Sequence, residues 1–339
     1  MKHLSYYYIV GLLAACLLSA TFTGCTSEAD EPVADGRTAT IRLDIPLLEA
    51  ATRTTPPTKD QESAIHALRV IIEADGSTTI NQEFTADKLT NGSITIENVP
   101  VGPVKMYVIA NEARLGRDYS NLDNMKADIE EETGKVHIHD EKREFFPKRG
   151  SEKEFPTTGL PMEWMSEQKI APPTDMPQEI EVNLVRAVAK LNITMNNALS
   201  DPITINSMSF GAFFGDCLYL FHSNNLDVPN DTKYAEMSYT EGVNIPIEGY
   251  GSATMALYIY PSFAWKNVAQ ASPYTIGFTT TAGKSYTPQA FVNNYGALNS
   301  IARNTQVNIS ATLRTDTHIE IKFEVVPWEQ NTVDVPPFN

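Results

Sequence analysis

Three places in this chain carry residues whose type and spacing could support chemistry. The first is Cys25, which follows Phe22-Thr23-Gly24 after a basic start at Met1 to His3 and an apolar run from Ile9 to Ala20. That run is far shorter than the roughly 20 residues needed to span a bilayer, and the small Gly24 leaves the next bond open to a signal peptidase. The Cys25 sulfur can then carry a thioether-linked diacylglycerol, which makes residues 1–24 a lipoprotein export signal and Cys25 a lipidation site. Phe22 stands where such signals favour Leu, so an ordinary secretory cut beside a stray cysteine is the other reading. The second place is Lys135-Val136-His137-Ile138-His139-Asp140, where alternation along a strand puts both imidazoles on one face, a spacing able to chelate Zn²⁺. No third ligand stands nearby and the neighbours through Arg149-Gly150 are mostly charged, so the segment reads as an exposed loop or edge without a metal. The third is Arg53, ahead of Thr54-Thr55-Pro56-Pro57, where prolines prevent regular structure and leave the Arg53-Thr54 bond in an accessible loop.

Patterns for catalysis are missing. Neither Gly-x-Ser-x-Gly nor His-Glu-x-x-His occurs, no pair of carboxylates stands out from the general acidity, and no Gly-rich loop is present to cradle phosphate. The sequence therefore points away from an enzyme and implies no cofactor. A formal net charge of -16 argues against a nucleic-acid partner, which needs clustered Lys and Arg. Of the three cysteines, Cys16 lies in the signal and Cys25 is claimed by lipid. Cys217 is left alone in Ala212-Phe213-Phe214-Gly215-Asp216-Cys217-Leu218-Tyr219-Leu220, where a buried apolar role outweighs a nucleophilic one.

The elements that position these residues are almost all strands. At 339 residues, 42% of them hydrophobic, the chain has material for about two packed cores. Thr26 to Pro32 is short, acidic and apolar-poor, a tether. From Thr38 to Ile45 the residues Ala39, Ile41, Leu43 and Ile45 alternate with Thr38, Thr40, Arg42 and Asp44, the pattern of a strand with one buried face. Ala67 to Glu73, closed by an Ala74-Asp75-Gly76-Ser77 turn, then Ser93 to Ile96 and Val104 to Ala110 continue as strands. One short helix is expected after Ser120 as N-cap, running past Met125 and Ile129 to a stop at Gly134. The apolar stretch through Ile180 to Val185 and Ala187 to Met195 ends one domain and starts the next. Further strands follow at Ile203 to Phe210, Thr254 to Tyr260, Tyr274 to Thr279, Thr305 to Leu313 and Ile319 to Val326. The expectation is an all-β chain with minor helix: a signal (1–24), a tether with a removable first strand (25–53), and β-sandwiches over 54–185 and 186–339. Tyr219, Phe221, Tyr258, Tyr260 and Trp265 could line a glycan-binding face, but core packing explains them more cheaply.

The chain resembles the fimbrillin family, subunits of pili assembled by Bacteroidales. The resemblance rests on the shared order of Ile65-His66-Ala67-Leu68-Arg69-Val70 with its Asp75-Gly76 turn, Gly102 through Val108-Ile109-Ala110-Asn111, Gly159-Leu160-Pro161-Met162, Leu184-Val185-Arg186-Ala187-Val188-Ala189-Lys190, Arg303-Asn304 and Val326-Pro327-Trp328, together with the lipobox and Arg53. It implies two transthyretin-like β-sandwiches exported as a lipoprotein to the outer membrane. An arginine-specific protease would then cut at Arg53-Thr54 and release the strand containing Ala39, Ile41, Leu43 and Ile45. A second copy or a related pilin would fill the vacated groove by strand addition, building an extracellular fimbrium that supports adhesion to a host or bacterial surface. The donor would be Glu329 to Asn339, with Val333, Val335 and Phe338 as groove-filling side chains; an ordinary frayed terminus is the other reading of that tail. Trp328, just before it, reads as a core anchor. The competing function is a surface lipoprotein that keeps its lipid and first strand, as a glycan-binding protein or a pilus anchor.

Overall fold

The computed structural model of the chain describes residues 37–45, 62–89, 92–131, 134–139, 159–221, 227–240, 243–315 and 317–328. Cys25, Arg53, Thr54, Val333, Val335 and Phe338 lie outside the described residues. Strand accounts for 57% and helix for 6%, so the chain is all-β as its alternating patterns predict. The first part runs β1 (Thr38–Asp44), β2 (Ala67–Ala74), β3 (Ser77–Thr85), β4 (Ser93–Pro100), β5 (Gly102–Ala110), α1 (Leu122–Ala127), β6 (Val136–His139), β7 (Met162–Ile170), β8 (Gln178–Glu181) and β9 (Val185–Arg186). The second runs β10 (Ala189–Asn197), β11 (Ile203–Gly215), β12 (Cys217–Leu220), β13 (Tyr234–Tyr239), β14 (Ile245–Ile247), β15 (Ser252–Ile259), β16 (Thr275–Thr280), β17 (Ser285–Ala290), β18 (Val292–Asn293), β19 (Gly296–Ala297), β20 (Thr305–Leu313) and β21 (Ile319–Pro327).

Two sandwiches result. In the first, sheet β4-β1-β8 packs on sheet β3-β2-β5-β7-β9 around a core that includes Ile41, Leu43, Val70, Ile72, Ile96 and Met106. In the second, sheet β15-β10-β20-β21 packs on β13-β11-β16-β17, with β14 added to β11, around Leu191, Ile193, Phe213, Phe278, Val307 and Ile309. Strict alternation explains why β10 can do this: every other side chain from Ala189 to Asn197 is buried. The β2–β3 hairpin closes through Asp75 and Gly76 at φ 49° and 70°, the doubly left-handed turn whose twist matches the flanking strands. The apolar stretch expected to join two domains is divided: β8 pairs with β1, β9 with β7, and β10 enters the second sandwich.

A third apolar cluster lies at the joint, where Ile71, Tyr107, Tyr119 and Leu160 meet Leu218, Tyr258, Tyr260 and Trp328. A two-stranded ladder of β6 and β12 crosses the same joint. One expectation needs correction: the helix is capped by Asn121, whose side chain accepts from the Asp123 N–H at 2.9 Å, rather than by Ser120. It ends at Ala127, because Ile129 turns away to bridge Val136 instead of continuing to Gly134. No described helix is long and apolar enough to cross a membrane.

Candidate functional site

The first strand is the interior strand of its sheet. Its inward residues Ala39, Ile41, Leu43 and Ile45 are all buried, Ile41 and Leu43 completely. Outward, Arg42 pairs with Asp44 at 2.9 Å and approaches Glu179 at 3.8 Å, with the side chains still about half in solvent. β1 runs antiparallel to β4, with Ile41 opposite Ile96 and Leu43 opposite Ile94, and parallel to β8, with Leu43 opposite Ile180. Backbone bonds beyond the ladder fix both ends: Val101 N–H donates to Arg37 O at 3.0 Å, Ile45 N–H to Gly92 O, and Val182 N–H to Asp44 O at 2.9 Å.

This geometry defines what the strand's absence would mean. β4 and β8 would stand about 10 Å apart, two strand spacings, with facing rows of unpaired N–H and C=O groups over an apolar trough. Only an extended chain with apolar side chains at period two can satisfy both rows and fill the trough together. Burial of Ile41, Leu43 and Ile45 contributes roughly 1.5–3 kcal/mol each, so a replacement strand must present comparable side chains.

β1 leads into residues 46–61 and then to Glu62, whose carboxylate is buried at the joint. Glu62 accepts from Lys190 Nζ at 2.6 Å, from the Tyr258 hydroxyl at 2.5 Å and from Trp328 Nε1 at 3.1 Å. Its carbonyl accepts from Arg186 Nε at 3.2 Å, and the Arg186 guanidinium lies 4.5 Å from the centre of the Trp328 ring. Burial, and then the Glu62 charge, push the Tyr258 hydroxyl well above its ordinary range, so it stays a donor; burial pulls Arg186 below its ordinary value. Trp328 stacks on Tyr258 with ring centroids 5.6 Å apart and is the anchor expected of it. Glu62 escaped the sequence reading: a lone acid in a polar run gives no sign that four partners from distant strands converge on it. A second buried contact across the joint pairs Glu163 of β7 with Arg303, and Glu163 also accepts from the Phe221 N–H.

The remaining sequence candidates fall as follows. Tyr219, Tyr258 and Tyr260 are buried, while Phe221 and Trp265 are partly covered, so these rings form no exposed platform for a sugar. The His137/His139 pair is a strand paired with β12, not an exposed charged loop, and the fold places Cys217, Asp216 and Asp231 beside it. Cys217 is fully buried; burial and the Asp216 carboxylate push its thiol upward, which suits packing rather than nucleophilic attack.

Comparison with known proteins decides the family. The model of the fimbrillin-A associated anchor proteins Mfa1 and Mfa2 matches residues 57–334. This chain belongs to that family. Fimbrillin-associated proteins are structural components of fimbriae, not enzymes, and their place is the cell-surface appendage. The fold of this fimbrillin-associated chain is shared with the tip fimbrial protein Mfa3 from Porphyromonas gingivalis, solved with a C-terminal truncation. That match has 15% identity and a TM-score of 0.51, over 86% of this chain and 99% of that one. A putative cell adhesion protein from Bacteroides eggerthii matches at 16% identity and a TM-score of 0.53, over 86% and 97%. A fimbrilin from Porphyromonas gingivalis matches at 12% identity and a TM-score of 0.50, over 86% and 98%. No curated protein matches the sequence significantly.

Proposed function

We propose that this chain is a pilus subunit that assembles by strand exchange after loss of β1. The observation that carries the reading is the interior position of β1 between β4 and β8. One chain cut after it, in residues 46–61, would convert a complete sheet into one with a vacant slot. In the precursor, lipidated at Cys25 and held at the outer membrane, β1 fills its own groove and keeps the subunit monomeric. An arginine-specific protease then cuts at Arg53-Thr54, and the Glu329 to Asn339 segment of a second copy or a related pilin enters the slot, building an adhesive fimbrium. The sequence boundaries 54–185 and 186–339 describe the two sandwiches of the mature subunit on this reading.

A second reading is favoured by the family's own description, which names anchor proteins. An anchor keeps Cys25 lipidated and β1 in place, and uses only its own C-terminal segment to join the polymer. Intact mass and N-terminal sequence of protein sheared from native cells, beside an Arg53→Ala variant, separate the two. The subunit reading expects a mature start at Thr54 in high-molecular-weight polymers that the variant does not form. A lipidated start at Cys25, unchanged in the variant, would replace it with the anchor.

A further inference from the structure

Where β6 and β12 cross between the sandwiches, three kinds of metal-ligating side chain come together from segments far apart in sequence. His137 and His139 are two residues apart on β6, so their imidazoles leave the same face. Cys217 sits opposite His139 in the antiparallel ladder. One donor atom each from His137, Cys217 and Asp231 lie within 4.8 Å of one another, and so do those of His139, Asp216 and Cys217. His137 Nε2 is 3.5 Å from Asp231 Oδ1, and His139 Nε2 is 3.6 Å from Asp216 Oδ2.

We infer that His137, His139 and Cys217, completed by a carboxylate of Asp231 or Asp216, form a site for a Zn²⁺-class dication that cross-links the two sandwiches. A tetrahedral zinc site with bonds near 2.0–2.3 Å sets its donor atoms roughly 3.5 Å apart, so within each triad side-chain rotations closing about 1 Å bring the donors into range. Cys217 belongs to both triads, so one ion on its sulfur takes both imidazoles once the two rings, 6.3 Å apart at their centroids, turn toward it. Two nitrogens and a sulfur select zinc-like ions over Mg²⁺ or Ca²⁺, which need oxygen donors. The His137 Nε2 atom is buried and makes no hydrogen bond among the described residues, although it faces a carboxylate at ion-pair range; a metal would satisfy it. Asp216 is itself oriented, accepting from the Lys233 N–H at 2.9 Å, the kind of outer support that metal ligands use. On binding, Cys217 loses its proton to solvent as the metal–sulfur bond forms.

The test uses Co²⁺ added to the full chain carrying Cys16→Ser and Cys25→Ser, so that Cys217 is its only thiol. The expected result is one Co²⁺ per chain, with tetrahedral bands in the visible and a sulfur-to-cobalt band in the near ultraviolet, displaced by Zn²⁺. Cys217→Ser should remove the near-ultraviolet band. His137→Ala and His139→Ala should each weaken binding at least tenfold while leaving the metal-free melting curve cooperative. Absence of the bands, or their survival in Cys217→Ser, would overturn the assignment; should Cys217→Ser fail to fold, tight binding persisting in the His137→Ala, His139→Ala double variant would overturn it equally.

Discussion

Single side chains fix where the loops of this molecule go, and Asn111 does so most plainly. Its backbone is left-handed at φ 58°, and its amide accepts from the His66 N–H at 2.9 Å while donating to Ala64 O at 2.9 Å and Leu160 O at 2.7 Å. Asn111→Ala leaves these buried groups without partners, at about 1–3 kcal/mol each, so a loss near 3 kcal/mol is expected in chemical denaturation. Gly159 explains why the neighbouring strand can come so close: at φ +63°, a Cβ there would meet Asn111 Nδ2 at 2.3 Å and Ala64 O at 2.7 Å. Beside them, burial lowers the His66 imidazole below its ordinary 6.5. The folded state therefore resists the proton that the unfolded chain takes up. Stability is full above pH 6.5 and declines as pH falls below that value toward the lowered folded-state pKa, and His66→Phe should lessen the decline in pH-dependent unfolding. Asn111 and Gly159 stood in the sequence as parts of recognisable stretches. Their mutual contact was not legible, because it joins segments 48 positions apart (159 − 111).

At the scale of elements, β1 combines a replaceable identity with demanding packing. Leu43→Asp puts an unpaired charge into a fully buried place and should cost more than 3 kcal/mol of precursor stability, whereas Arg42→Ala, which breaks only solvent-exposed pairs, should stay within about 1 kcal/mol in the same melts. In a chain lacking residues 1–53, a synthetic Thr38 to Ile45 peptide should bind and restore the melting temperature; failure to do so would show that the groove collapses once empty. Strands with one clean apolar face, such as β1, β10 and β20, were readable from alternation. β3 and β7 were not: Asn81, Gln82 and Glu83, or Ser166 to Lys169, carry little strand signal, and these segments become strands because β2 and β5 offer long complementary edges. Proline did not prevent β17, which holds Pro288 at the outer edge of its sheet, where the missing N–H has no ladder partner to lose.

For the whole molecule, the contacts between the sandwiches decide whether it behaves as one unit. Glu163→Ala strands the buried Arg303 guanidinium and should lower stability by about 3–5 kcal/mol, while Glu163→Leu with Arg303→Met should recover most of that loss, a double-mutant comparison read by denaturant midpoints. Trp328→Ala should cost a similar 3–5 kcal/mol and broaden the transition, because it empties a ring site shared by Tyr258, Arg186 and Glu62. Two sandwiches and their all-β class could be foreseen from composition and periodicity. Their joint could not, since Glu62, Glu163 and Asp231 look in sequence like any of 42 acidic residues.

Glu62 also has a mechanical meaning. Through its bond to Trp328 Nε1, the root of residues 329–339 is fastened to the segment that leads into β2 of the first sandwich. Tension applied to the C-terminal segment would thus arrive at both sandwiches at once instead of travelling through β20 and β21 first. Load shared at a buried carboxylate, an ammonium and a stacked ring pair is resisted by several short contacts acting together, so the end of the chain is the last place from which this protein should be pulled open.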